Sequence, residues 1–178
     1  MIGSHSRTAA AVGVLLALAV ALGSLGGCGS DLNTGSTPGS AAPTEDMAPD
    51  FSGVTLDGVQ VSLSDYGGKP LVLVFMASWC GSCVDEAPEI DNFYREQSEK
   101  AEVLAMDVND SEADIRELMN TEGWTFPVML SADSAARAYG VRFIPTVIVI
   151  DSEGRIAGKL VGGASASDLS ALIDGLAR

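Results

Sequence analysis

Leu71-Val72-Leu73-Val74-Phe75-Met76-Ala77-Ser78-Trp79-Cys80-Gly81-Ser82-Cys83 carries the reading of this chain. Its first six residues are apolar without alternation, the pattern of a strand buried on both faces of a sheet. From Cys80 to about position 99 the period changes, and Ile90, Phe93 and Tyr94 recur at the spacing of one helix face. Pro88 lies inside that run and predicts a kink one to two turns in, because it removes a backbone donor. The two cysteines thus sit where a central strand passes into a helix, spaced so that both sulfurs approach across one turn. Cys80 falls at the helix N-terminus, where unpaired N–H groups and the macrodipole favour an anion. That setting lowers a thiol below its free pKa of about 8.5. The resulting thiolate attacks a disulfide, and a second thiol resolves the mixed disulfide. Cys83, one turn inside, is expected to be more buried and less reactive.

Other uses of a cysteine pair fit less well. A structural zinc site needs four ligands, yet Cys28 is the only other cysteine and His5 the only histidine. Covalent haem attachment requires histidine directly after Cys83, and Val84 stands there. A purely structural disulfide stays possible, although so short a loop constrains little of the unfolded chain.

Working outward, 51–55 and 59–63 flank Leu56-Asp57-Gly58 and read as an N-terminal hairpin. A second buried strand is expected at 103–108, a helix at 112–122 with Ile115, Leu118 and Met119 on one face, and a short strand at 126–130. A small helix follows at 134–139. Thr146-Val147-Ile148-Val149-Ile150 is a strand, 151–154 a turn and 155–161 the returning strand. Leu169, Leu172, Ile173 and Leu176 mark a closing amphipathic helix. Strands alternating with helices give an α/β fold, a sheet with helices on both faces.

The chain has 178 residues, 24 acids against 10 Lys plus Arg, and a formal net charge of −14. Such a surface repels nucleic acid, and no nucleic-acid partner is expected. Arg7 precedes an uncharged apolar run at 8–25, which reads as a secretory leader, although it is long enough to span a bilayer uncleaved. Leu25-Gly26-Gly27-Cys28 resembles the lipobox of bacterial lipoproteins, which implies that the leader at 1–27 is removed and Cys28 acylated. Residues 28–47, rich in Ser, Thr, Gly, Pro and Ala, are a tether, and 48–178 the folded domain. Either form of anchor places that domain outside the cytoplasm, where disulfides persist. If His5 leaves with the leader, no Ser-His-Asp or Cys-His catalysis is open to the mature chain.

A second element, Phe143-Ile144-Pro145-Thr146, enters the late strand. On backbone grounds alone, proline at a strand's first residue is simply tolerated. Taken with Ala48-Pro49-Asp50-Phe51, Trp79-Cys80-x-x-Cys83, Glu86-x-Pro88 and Gly140-Val141-x-x-x-Pro145-Thr146, it resembles the thioredoxin superfamily from Ala48 to Arg178. More narrowly, the pattern is similar to the TlpA/ResA/DsbE-like branch of extracytoplasmic thiol–disulfide oxidoreductases. That resemblance implies a thioredoxin-like fold: a central mixed sheet, an N-terminal hairpin and an inserted strand–helix segment, matched by 112–130. It implies that Pro145 is a cis proline beside the cysteines, that Ile144 and Thr146 border the substrate, and that Trp79 shields the disulfide and contacts substrate. Glu86 would be the acid exchanging the proton of Cys83, although a first-turn helix acid is also ordinary. No cofactor beyond the Cys80–Cys83 pair and no metal is implied. Thioredoxins proper carry a buried acid where Val74 stands, so any proton relay falls to Glu86 or water. The intervening Gly81-Ser82 replaces the Gly-Pro of the reducing thioredoxins.

The leading expectation is disulfide exchange with secreted client proteins, recharged by a membrane redox partner, with a lean toward oxidation. Reduction of client thiols, as in cytochrome c maturation, is the alternative. A thiol peroxidase lacks its Pro-x-x-x-Thr-x-x-Cys signature here. A Cu(I) carrier built on Cys80, Cys83 and Met76 lacks a histidine in the mature chain.

Overall fold

The computed structural model describes residues 46–177; the expectations on the leader, on Cys28 and on nearly all of the tether lie outside the described residues. Three parallel strands form one half of a five-stranded sheet: β3 (Leu71–Met76), β4 (Glu102–Asp107) and β5 (Val128–Met129). β6 (Thr146–Ile150) runs antiparallel to β3, and β7 (Ile156–Val161) antiparallel to β6, giving the order β5-β4-β3-β6-β7. β1 (Ser52–Val54) and β2 (Gln60–Ser62) pair antiparallel as the N-terminal hairpin. The helices are α1 (Gly81–Gln97), α2 (Glu112–Glu122), α3 (Asp133–Ala138) and α4 (Ala166–Leu176). This is the mixed α/β sheet of the thioredoxin-like fold.

Because β3 and its neighbours are buried on both faces, their side chains divide by parity between two cores. Val72, Val74, Val103, Ala105, Val147 and Val149 face Ile90 and Phe93 of α1, Ile115 and Met119 of α2, and Leu169 and Ile173 of α4. Leu71, Leu73, Phe75, Leu104 and Met106 face Phe51, α3 and Tyr139. Each large side chain so buried removes apolar surface worth about 1.5–3 kcal/mol. That double burial makes β3 a rigid platform for whatever follows Met76.

The helix ends follow local chemistry. Ser111 and Ser165 accept hydrogen bonds from the N–H groups of Asp114 and Asp168 at the starts of α2 and α4. Gly123 closes α2 at φ 71°, a left-handed conformation that glycine adopts without Cβ strain. α1 is one helix from Gly81 to Gln97, with Pro88 inside it. Ala87, Ile90, Asp91 and Phe93 are buried on its inner face and dock both halves against the sheet. Asp91 also ties the second half outward, accepting from the N–H and hydroxyl of Thr125 at 2.7 and 3.0 Å and pairing with Arg95.

The edge strand β5 is covered by the hairpin. Thr55 bridges Met129, and a Cβ on Gly53 would lie 2.7 Å from the Met129 sulfur, so a side chain there would force Met129 to shift. At the other edge the chain joins the sheet two residues before the expected start at 48. Met47 bridges Arg155, and the N–H of Ile156 donates to the carbonyl of Asp46 at 3.0 Å.

Candidate active site

After β3 the chain turns through Ala77, Ser78 and Trp79 and delivers Cys80 as the N-cap of α1. Cys80 and Cys83 are joined as a disulfide with Cα atoms 5.2 Å apart. Cys80 Sγ accepts from the N–H of Cys83 at 3.3 Å, taking one of the donors the helix start leaves unpaired, and Ser82 Oγ lies 3.5 Å away. Once the pair is reduced, both groups and the helix dipole favour negative charge on Cys80. Cys80 is 7% exposed and Cys83 only 2%, so an incoming sulfur meets Cys80 first.

The antiparallel pairing of β6 with β3 sets Thr146 opposite Phe75, which carries the preceding loop up beside the cysteines. The Ile144–Pro145 bond in that loop is cis. Pro145 is buried and Ile144 half-buried, with its carbonyl oxygen 3.8 Å from Cys80 Sγ. Thr146 is buried and its hydroxyl donates to the Phe143 carbonyl at 2.8 Å, so it fastens the loop rather than facing the sulfurs.

Trp79 stands out 60% exposed, and its Nε1–H donates to the Asn109 carbonyl at 2.9 Å. Its neighbour Ser78 donates from N–H and hydroxyl to the two carboxylate oxygens of Asp110, at 2.5 and 2.9 Å. The loop after β4 therefore holds the turn that presents Cys80. Sequence reading missed Asn109 and Asp110, since some thirty residues of chain separate them from Trp79. Asn109 at φ 53° is a local sign of a special turn, visible only in the folded backbone.

Two buried acids flank the site. Glu86 lies one turn beyond Cys83 and accepts the N–H of Ala164 at 2.6 Å. Burial pushes its pKa up to about 7, against the pull of that hydrogen bond. Asp107, at the end of β4, is pushed up to about 7 by burial and by Asp110 and Asp133, while a backbone hydrogen bond from Ser131 draws it back. Its Oδ1 is buried and finds no hydrogen-bond partner among the described residues. The strand pattern of 103–108 gave no signal for it.

A shallow groove of about 260 Å³ opens beside the cysteine turn, walled by Trp79, Asn109, Phe143 and Ile144, with Arg142 at its margin. Among the described residues, no cluster of three or more His, Cys, Asp or Glu side chains is placed to hold a metal ion, and no helix is long and apolar enough to cross a membrane.

The Redoxin family profile matches residues 43–173. The thioredoxin-like protein YneN of Bacillus subtilis (strain 168) is 32% identical over 131 residues, 72% of this chain and 77% of that protein. The thiol-disulfide oxidoreductase ResA of Geobacillus thermodenitrificans (strain NG80-2) is 31% identical over 135 residues, 75% of this chain and 78% of its own. The crystal structure of the pneumococcal exposed lipoprotein thioredoxin Etrx1 from Streptococcus pneumoniae strain TIGR4 matches with a TM-score of 0.66 at 30% identity, covering 72% of this chain and 100% of that one. Family, relatives and the disulfide at the helix start agree: the chain belongs to the Redoxin family and is a thiol–disulfide oxidoreductase of the thioredoxin fold whose redox group is the Cys80–Cys83 pair.

Proposed function

We propose that the protein works outside the cytoplasm and accepts electrons from the thiols of secreted client proteins, forming their disulfides. A client thiolate attacks Cys80 Sγ; a client–Cys80 bond forms and the Cys80–Cys83 bond breaks, leaving Cys83 as a thiolate. Glu86, with a pKa near 7, gives Cys83 its proton at neutral pH. The second client thiolate then attacks the client sulfur of the mixed disulfide and releases Cys80. The client has lost two electrons, Cys80 and Cys83 have gained them, and a membrane redox partner restores the disulfide.

In this reading the carbonyl of Ile144 pairs with the extended client, Trp79 covers the reacting sulfurs, Pro145 packs beside them, and Thr146 holds their loop. Residues 1–27 are a lipoprotein leader, Cys28 carries the acyl anchor, 28–47 tether the domain, and 48–178 form it. The likeness to a pneumococcal exposed lipoprotein thioredoxin supports that anchor. The observation that carries the proposal is the sulfur of Cys80 at the N-cap of α1, facing the N–H of Cys83 and the Ile144 carbonyl.

The test is the reduction potential of the protein, equilibrated against glutathione and read by Trp79 fluorescence. A value near or above about −180 mV supports client oxidation. A value near or below about −270 mV makes it a reductant, in cytochrome c maturation or in repair of other client thiols, and overturns the direction proposed.

A further inference from the structure

Every aromatic side chain among the described residues is buried or half-buried except two, Trp79 and Phe143. These two, 60% and 72% exposed, wall the same groove beside Cys80. Two exposed rings lining one groove mark a surface that an apolar side chain completes. Arg142, at the margin of that groove, is exposed, and it takes part in none of the ion pairs of the described residues. One strand away, the Lys159 ammonium is seated on the carbonyls of Tyr139 and Gly140, so a second positive charge lies at the base of the same loop. Asp110, in the loop that holds the Trp79 turn, has both oxygens engaged by Ser78 and by the N–H of Ser111. In a chain of net charge −14, a cation left unpaired beside the reactive sulfur is a local reversal of sign.

Resting on the disulfide exchange proposed above, we infer that this groove selects client segments with an apolar side chain next to the reactive cysteine and an acidic side chain about two residues from it. An extended client advances about 3.3 Å per residue and places alternate side chains on one face. With the client sulfur at Cys80, in register with Ile144, the residue two positions along reaches Arg142. The apolar neighbour enters between Trp79 and Phe143.

The experiment follows reaction of the oxidised protein by stopped flow with two reduced peptides, identical except for Glu or Lys two positions from a cysteine flanked by Leu. The wild-type protein is expected to favour the Glu peptide about fivefold, the upper range of an exposed ion pair, with the preference fading toward unity in 0.5 M salt. Arg142→Glu is expected to reverse the order. The ratio is internal to each protein, so a general loss of activity does not produce it. Against a third peptide with Ser in place of Leu, the wild-type protein is expected to prefer Leu, and Phe143→Ser to lose that preference while keeping the one for Glu. Equal rates for the Glu and Lys peptides in the wild-type protein, or an unchanged order in Arg142→Glu, would overturn the inference. Failure of the wild-type protein to oxidise dithiothreitol would instead overturn the exchange reading beneath it.

Discussion

Glu86 and Asp107 are both buried acids raised to a pKa of about 7, yet they are built differently. Glu86 stands on the helix that carries Cys83, retains 8% exposure, and grips the N–H of Ala164 in the segment leading to α4. That segment is held in place by Gly163 at φ 120°, a conformation closed to other residues without strain. Asp107 is 1% exposed, ends a central strand, has an oxygen that finds no hydrogen-bond partner among the described residues, and feels the charges of Asp110 and Asp133. An acid with a bonded oxygen and a path to solvent is able to pass a proton at neutral pH. A sealed acid with an orphan oxygen is kept neutral because its charge would be uncompensated. Similar pKa values thus belong to a chemical group in one place and to a stability cost in the other.

The largest effect expected from this contrast is kinetic. If Glu86 supplies the proton of Cys83 as proposed, Glu86→Gln lowers oxidation of dithiothreitol at pH 7 about 10²-fold and abolishes its inflection near pH 7. Asp107→Asn keeps both the rate, within about twofold, and the inflection. If the inflection follows Asp107 instead, the two roles are interchanged.

Next comes stability. Both acids ionise near 7 when folded but near 4 when unfolded, so between those values the folded chain holds protons that the unfolded chain has released. Stability from these groups is therefore greatest below about pH 4 and declines as pH rises to about 7. Asp107→Asn is expected to gain about 1–3 kcal/mol at pH 8 and nothing at pH 4, measured by urea unfolding. A loss at pH 8 would mean that the hydrogen bond from Ser131 outweighs the burial of its charge.

The smallest effect isolates the clamp from the proton. Glu89, one turn beyond Glu86, accepts the N–H of Ala166 at 3.0 Å from an exposed position. Glu89→Gln is expected to cost less than about 0.5 kcal/mol in the same unfolding experiment and to leave the pH profile intact. A profile altered as strongly as by Glu86→Gln would assign the effect to the position of the α4 segment.

Glu86 was singled out through the family resemblance, by Glu86-x-Pro88 three residues beyond Cys83 on the helix that the cysteines announce. Asp107 was not, since its burial and its hydrogen bond from Ser131 arise only in the folded chain. The succession of strands and helices, the hairpin and the closing helix were readable from apolar period and turn residues. Phe143 belonged to a recognised motif, but only the fold reveals that its ring stands in solvent while the neighbouring Pro145 is buried.

The central claim is that Cys80 is the exchanging sulfur and Cys83 the resolving one. Brief treatment of the fully reduced protein with limiting iodoacetamide at pH 7, followed by peptide mass analysis, tests it most directly. The account predicts that Cys80 carries at least about tenfold more label than Cys83, as its N-cap position and greater exposure require. Equal labelling, or label on Cys83 first, would contradict it.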